Sequence, residues 1–316
     1  MNRRTCLYKM ARFLTQTPNT PTVKLGSRRY PTGWVYLPDF AETETVNRRY
    51  IEGSGRGKVS LLYKAYQHLL GPLVPHNQEI GDCVSHGFAT GVDVLSTVQI
   101  ASGSRERWAG NACSETIYGG CRVEIAKSTL RFSDGAMGSW AASWLRKYGN
   151  LVRKVYNVGE GYDLRTYSGR RAKNYGRNGC PDPLEPIAKE HPVQTTALIK
   201  TWSELCDVMA NGYPVPVCSN QGFTSKRDSD GFLKPRGSWA HCMCIIGVDD
   251  TKRPGACIMN SWGSKWVSGP TRYGQPEGSF WADADVVEKM LGQGDSFALS
   301  SYLGFPRIYL PDYILY

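Results

Sequence analysis

Three residues of this chain have side chains suited to nucleophilic chemistry and sit at the edges of apolar segments. Cys83 follows the polar loop Asn77-Gln78-Glu79-Ile80-Gly81-Asp82 and opens an apolar run that continues to about Ile100. His241 begins the apolar run 242–248, and Asn260 ends the run 256–259 and opens Ser261-Trp262-Gly263-Ser264-Lys265-Trp266. A thiol becomes a good nucleophile when it ionises. An imidazole can take its proton, and an amide that holds the other ring nitrogen fixes the tautomer required. Taken singly, each residue has a plainer reading, as an inert cysteine at a helix start or a His or Asn at a strand end. The three in this order point to acyl transfer through a thioester.

The elements that must position them are partly legible. Val84, Phe88, Val92, Leu95 and Val98 have helical spacing, which puts Cys83 at a helix N-terminus where free N–H groups and the dipole favour a thiolate. Runs 215–218, 242–248, 256–259 and 278–281 favour β-structure and are separated by turns. Strands of one sheet would bring His241 and Asn260 together. Residues 59–70 predict a short amphipathic helix stopped by Gly71-Pro72, 114–148 is mainly helical with a break at Asp134-Gly135, and 201–210 predicts a further helix. Helices first and antiparallel strands second give an α+β chain with two lobes and a cleft between them.

By this reading, residues 1–58 form a basic extended arm (1–38) and a linker ending in the glycine-rich connector 51–58. The main domain is 59–292, with a helical lobe at about 59–158, a Gly-, Pro- and Arg-rich surface excursion at 159–194, and a β lobe at about 195–292. Residues 293–316 form an aromatic tail.

Gly81-Asp82-Cys83, the His241 run and Asn260-Ser261-Trp262-Gly263-x-x-Trp266 resemble the three signature blocks of papain-like cysteine peptidases. Ser114-Glu115, Asp134-Gly135-Ala136, 144–149, 211–215 and 278–281 follow in the family's order, so the resemblance covers roughly residues 75–290. It implies a papain-like two-lobe fold, with Cys83 on the central helix and His241 and Asn260 on the β lobe. Cys83 would attack an acyl carbonyl, and His241 would pair with the thiolate and then protonate the leaving group. Asn260 would fix the imidazole, and Trp262 would shield that bond. The backbone N–H of Cys83 and a preceding side-chain amide would form the oxyanion hole, while Gly135 and Ala136 would line the cleft against an extended peptide. Water completes deacylation, so the resemblance implies no cofactor and no metal.

The chain departs from the family pattern in four ways. The family's oxyanion glutamine lies six residues before the nucleophile, whereas Gln78 lies five before Cys83; either Gln78 serves on a shortened loop or Asn77 serves at the usual spacing. Val84 replaces the usual aromatic residue, and a rival register puts His86 at the nucleophile position; otherwise His86 is a helix-packing residue one turn from Cys83. The cysteine pair that braces the family's active-site loop is not evident, and Cys121 sits where the family often has a disulfide cysteine, with Cys180 an unassigned candidate partner. Finally, His241 and Asn260 lie 158 and 177 positions beyond Cys83, a long separation that the excursion can absorb. No inhibitory propeptide is recognisable, because the roughly 75 residues before the loop carry no long charged helical pattern.

Composition bounds the remaining readings. The 316-residue chain carries a net charge of +10, with no acidic residue before Asp39 and a second basic cluster at Arg165, Arg170, Arg171, Lys173 and Arg177. Such charge suits nucleic acid, an acidic partner or an assembly surface, although no nucleic-acid-binding motif appears. Ten cysteines without a Cys-x-x-Cys spacing suggest mostly free thiols in a reducing compartment. No apolar run reaches the ~20 residues of a membrane span, and no secretory signal is evident, so the expected location is cytoplasmic or virion-associated. Besides a peptidase acting on peptide or protein, two readings stay open. One is a structural component of an assembly such as a virus particle, docking through 1–38 and 302–316. The other is an amide hydrolase or acyltransferase on cell-wall peptide.

Overall fold

The computed structural model describes residues 20–37, 52–104, 106–130 and 133–302. The chain opens with a hairpin, β1 (Thr22–Leu25) and β2 (Arg28–Pro31), turned at Gly26 with φ +60°. A short strand β3 (Val59–Leu61) leads into α1 (Tyr63–Leu70). The central helix α2 runs from Cys83 to Ala101, followed by α3 (Ser114–Gly120), a π-helical turn over Cys121–Ile125, and α4 (Gly138–Lys147).

Next come β4 (Val155–Tyr156), β5 (Tyr162–Asp163), α5 (Gly169–Asn178), α6 (Glu185–Lys189) and β6 (Val193–Leu198). Helix α7 (Trp202–Ala210) begins at a capping box, in which Thr201 and Glu204 satisfy each other's backbone N–H groups. The β lobe follows as β7 (Val215–Phe223), β8 (Pro235–Asp249), β9 (Gly255–Met259) and β10 (Ser279–Asp283). Helix α8 (Ala284–Leu291) and β11 (Phe297–Tyr302) complete the described chain.

The four β runs read from sequence are thus strands, and the antiparallel sheet has the order β10-β9-β8-β3 with β7 also paired to β8. Two buried apolar clusters divide the molecule. One gathers α2–α4 and the chain around α5, and the other gathers the sheet with α1, α7 and α8. Helix α2 lies where they meet, which explains why it is buried on nearly every side. Glycines let it approach the sheet, since a Cβ on Gly87 would stand 2.9 Å from Cys242 Sγ and 3.0 Å from the Met243 carbonyl.

Three boundaries differ from the sequence reading. Residues 59–61 join the sheet through β8, and the connector before them is pinned, with the N–H groups of Gly53 and Gly55 donating to Asp207 at 2.8 and 2.9 Å. The excursion is part of the helical lobe. Its α5 packs on α3, and Leu164, Ala172, Tyr175, Leu184 and Ala188 are buried. The tail begins as core: β11 pairs with β6, and Phe297, Ala298 and Leu299 are buried. The expectations for 1–19, 38–51 and 303–316 lie outside the described residues. All nine described cysteines, Cys121 and Cys180 included, are buried and unpaired. Among the described residues no helix is long and apolar enough to cross a membrane.

Candidate active site

Cys83 is the first residue of α2 and is completely buried. Its thiol faces the backbone N–H groups of Cys242, the neighbour of His241 in β8, and of Gly33 in the N-terminal arm. Burial pushes its pKa well up, helped by the nearby Cys242 thiol, and the two N–H groups offset this only in part. The thiolate expected at a helix N-terminus is therefore absent. A helix dipole is effective when the charge can be solvated, and here the site is dry.

His241 and Asn260 meet as the strand reading expected. Asn260 Oδ1 accepts the Ser261 N–H at 2.7 Å and lies 2.8 Å from His241 Nε2, so Nε2 must be the protonated donor. Nδ1 then carries the lone pair, and this buried atom has no hydrogen-bond partner, the Cys83 thiol included. Burial pulls the His241 pKa down to about 4, against the Asn260 hydrogen bond, which raises it. The pair is held as thiol and neutral imidazole. Trp262 stacks on the imidazole with centroids 4.5 Å apart, and Trp239 and Trp266 pack around that indole.

Gln78 is buried, while Asn77 is exposed beside Gly263. The Gln78 carbonyl is gripped by the Ser261 hydroxyl, which turns its NH2 toward the carbonyls of Ile80 at 2.9 Å and Pro31 at 3.2 Å. The same Pro31 carbonyl accepts from Trp262 Nε1 at 2.9 Å. Ser261, within the Asn-Ser-Trp-Gly block, thus orients the amide, a role that sequence reasoning did not assign.

The cleft is occupied by the chain's own arm. The N–H groups of Gly33 and Trp34 donate to the Ala240 carbonyl at 3.1 and 3.0 Å on one wall. On the other, Ala136 N donates to Gly33 O at 2.9 Å and Val35 N to Ala136 O at 3.0 Å, a parallel bridge centred on Trp34. Gly135 and Ala136, expected to line a substrate cleft, contact residues 33–35. The Trp34 indole N–H donates at 2.8 Å to the buried Asp295, which also accepts the first amides of α4 from Gly138 and Ser139 at 2.7 and 2.8 Å. The sequence carries no recognisable propeptide pattern, yet residues 33–35 pair across this cleft. An arm that pairs through backbone and a single glycine leaves no periodic pattern to read. Beyond the arm, an open groove of about 720 Å³ runs beside Tyr30, Pro75, Trp262, Lys265 and Glu277.

His86 lies one turn along α2 from Cys83, in a separate polar row. Its Nδ1 is 2.8 Å from His76 Nδ1, and its Nε2 approaches Asp82 Oδ2 at 3.3 Å without hydrogen-bond alignment. The Tyr167 hydroxyl donates to the same Asp82 oxygen at 2.9 Å. Burial holds His76 well below the usual histidine range, and His86 lowers it further. Among the described residues no group of three His, Cys, Asp or Glu side chains is placed to hold a metal ion.

No protein-family profile matches the chain, and no curated protein matches it in sequence. Solved structures do. Xylellain, a cysteine protease from Xylella fastidiosa, superposes with a TM-score of 0.59 at 17% identity, covering 88% of this chain and 99% of that one. The proform of the ragweed pollen cysteine protease Amb a 11 gives a TM-score of 0.50 at 12% identity, covering 80% of this chain and 67% of that one. Such identities speak for architecture alone. A helical lobe carrying Cys83, an antiparallel lobe carrying His241 and Asn260, and these solved neighbours make this a divergent papain-like fold.

Proposed function

We propose that the chain is a cysteine-type peptidase that cleaves peptide bonds through a Cys83 thioester. Catalysis begins when the Cys83 Sγ proton passes to His241 Nδ1 and sulfur bonds to the acyl carbon. The carbonyl electrons collect on oxygen, where the Cys83 N–H and Gln78 Nε2 can donate. The C–N bond then breaks as His241 returns its proton to the amine. In the second half, His241 takes a proton from water, the hydroxyl oxygen bonds to the acyl carbon, and the C–S bond breaks to restore the thiol. Neither half needs a metal or cofactor.

The observation that supports this best is His241 itself. Its Nε2–H is fixed by Asn260, its face is covered by Trp262, and its remaining nitrogen is a bare lone pair inside a buried site. A buried polar atom without a partner is uncommon, and here it is the atom a thiol proton would need. The test is hydrolysis of a random-sequence fluorogenic peptide library, with trapping of the acyl-enzyme by mass spectrometry. Cys83→Ala should abolish both signals and His241→Gln should abolish turnover. Turnover that survives Cys83→Ala rejects the reading.

The missing Cys83–His241 hydrogen bond also suits a second reading, a component of an assembly whose triad is idle. It predicts normal assembly by the Cys83→Ala chain and no peptide turnover by any form.

A further inference from the structure

We propose that the polar row Tyr167, Asp82, His86 and His76 is a positioning device for Gln78, fastening the loop 76–82 to the helical lobe so that the oxyanion donor faces Cys83. The inference rests on the peptidase reading above and gives residues outside the candidate triad a part in that reaction.

Asp82 is the first sign. It stands at the N-cap of α2, where an Asp side chain ordinarily accepts an N–H of the first turn, yet it makes no such bond. Its carboxylate is completely buried and directed elsewhere: Oδ2 accepts the Tyr167 hydroxyl at 2.9 Å and lies 3.3 Å from His86 Nε2, while Oδ1 has no partner. A carboxylate buried with one oxygen bare destabilises a fold, which marks Asp82 as serving something other than stability.

Tyr167 is the hub of the row. Its hydroxyl donates to Asp82 and accepts the Glu79 N–H at 3.2 Å, so one oxygen joins both ends of the segment 79–82. Glu79 Oε2 in turn accepts the Gly169 N–H at 3.0 Å, and a Cβ on Gly169 would stand 2.5 Å from that oxygen. The His86 ring contacts the rings of Tyr167 and His76, with centroids 4.8 and 5.0 Å away. The Nδ1 atoms of the two histidines lie 2.8 Å apart and share one proton. In neutral rings, only His76 Nδ1–H donating to His86 Nδ1 leaves a proton on His86 Nε2 to face Asp82 in place of a lone pair. His76, Glu79 and Asp82 are thus all fastened to α2 or to Tyr167.

Gln78 lies inside this span, and its own bonds to Ser261 run to the other lobe. The flanks of the loop are fixed by the helical lobe and its centre by the β lobe. No disulfide braces it, since the nine described cysteines are unpaired. A catalytic group misplaced by ~1 Å can cost on the order of 10²-fold in rate, so a brace of this kind acts on kcat.

The test uses the full chain as wild type, Tyr167→Phe, Asp82→Ala, Asp82→Asn, Gln78→Ala and the double variant Tyr167→Phe/Gln78→Ala. Tyr167→Phe removes one oxygen and keeps the ring on His86. On the best fluorogenic peptide of the library, Tyr167→Phe and Asp82→Ala should each lower kcat by about tenfold with KM within about twofold. Asp82→Asn, which keeps an acceptor for Tyr167, should recover most of what Asp82→Ala loses. In the Gln78→Ala background, Tyr167→Phe should change kcat by less than about twofold, because the group it positions is gone. The second readout needs no turnover: exchange of the Gln78 backbone N–H, bonded to the Ser261 carbonyl at 2.9 Å, should speed at least about tenfold in Tyr167→Phe while the N–H groups of β8 keep their protection.

Where wild type hydrolyses peptide, both effects are required, and either one within about twofold of wild type overturns the inference. A tenfold loss that persists in the Gln78→Ala background also overturns it. Faster Gln78 exchange with no hydrolysis by any form keeps the positioning row and rejects the peptidase reading, whereas hydrolysis and exchange both unchanged by Tyr167→Phe do the reverse. Should Tyr167→Phe fail to fold, the ¹⁵N-histidine spectrum of wild type decides: a proton on His86 Nε2 supports the row, and a bare Nε2 overturns it.

Discussion

Gln78 is engaged at both ends of one amide, with its oxygen on Ser261 and its nitrogen on Pro31 and Ile80. Gln78→Ala should lower kcat for peptide hydrolysis by about 10²–10³ with a smaller change in KM. Ser261→Ala should cost roughly tenfold or less, since it frees the amide to turn without removing it. His241 gives a stability prediction. Its folded pKa of about 4 lies below the ordinary 6.5, so its contribution is fully present above pH 6.5 and is lost as pH falls toward 4. Wild type should lose up to roughly 3 kcal/mol relative to His241→Gln over that window, read from urea midpoints at pH 7 and pH 4. The candidate trio Cys83, His241 and Asn260 was legible because each member has distinctive neighbours in sequence. Ser261 lay inside the same block, but its role depends on a loop 183 positions away, which spacing cannot show.

At the level of elements, the polar composition of α5 concealed its place in the core. Arg170, Arg171, Lys173 and Arg177 read as a solvated loop, and the buried pair Ala172 and Tyr175, three residues apart, was too sparse to signal a helix. What holds α5 down is Glu115 of α3, buried and bonded to Arg153 at 2.8 Å and Arg171 at 2.7 Å. Burial alone would raise the Glu115 pKa, but Arg153 and then Arg171 outweigh it and hold the carboxyl down to about 2. Glu115→Gln should cost about 3 kcal/mol near neutral pH, because it strands two guanidinium groups. The folded pKa is depressed below 4.5, so this stability is present above pH 4.5 and the gap between the two proteins should close as pH falls toward 2. Strand β11 was missed for a related reason: a six-residue strand whose partners in β6 lie 99 or more positions upstream looks like the start of a loose tail. A chain ending at Gly292 removes Asp295 and the buried 297–299 segment, and should lose cooperative thermal unfolding by circular dichroism.

Over the whole molecule, two cores lean on one helix, and the candidate reacting groups come from opposite sides of that contact. The α+β division was legible from where helical spacing gave way to β-favouring runs, whereas the closed arm was not, since its contacts are made by backbone. Spacing between lobes should thus control activity without touching the chemistry. Gly87→Val would push α2 off Cys242 and Met243, lowering stability by about 1–3 kcal/mol and widening the gap between Cys83 and His241. The nine buried, unpaired cysteines bear on a different property, the reversibility of unfolding. Each is shielded only while the cores are intact, and heating would release all of them together into solution, where they can be oxidised or cross-linked in wrong combinations. A second thermal scan should reproduce the first when reductant is present and lose most of its amplitude in air, so the lifetime of this protein outside a reducing medium is set by how rarely it opens.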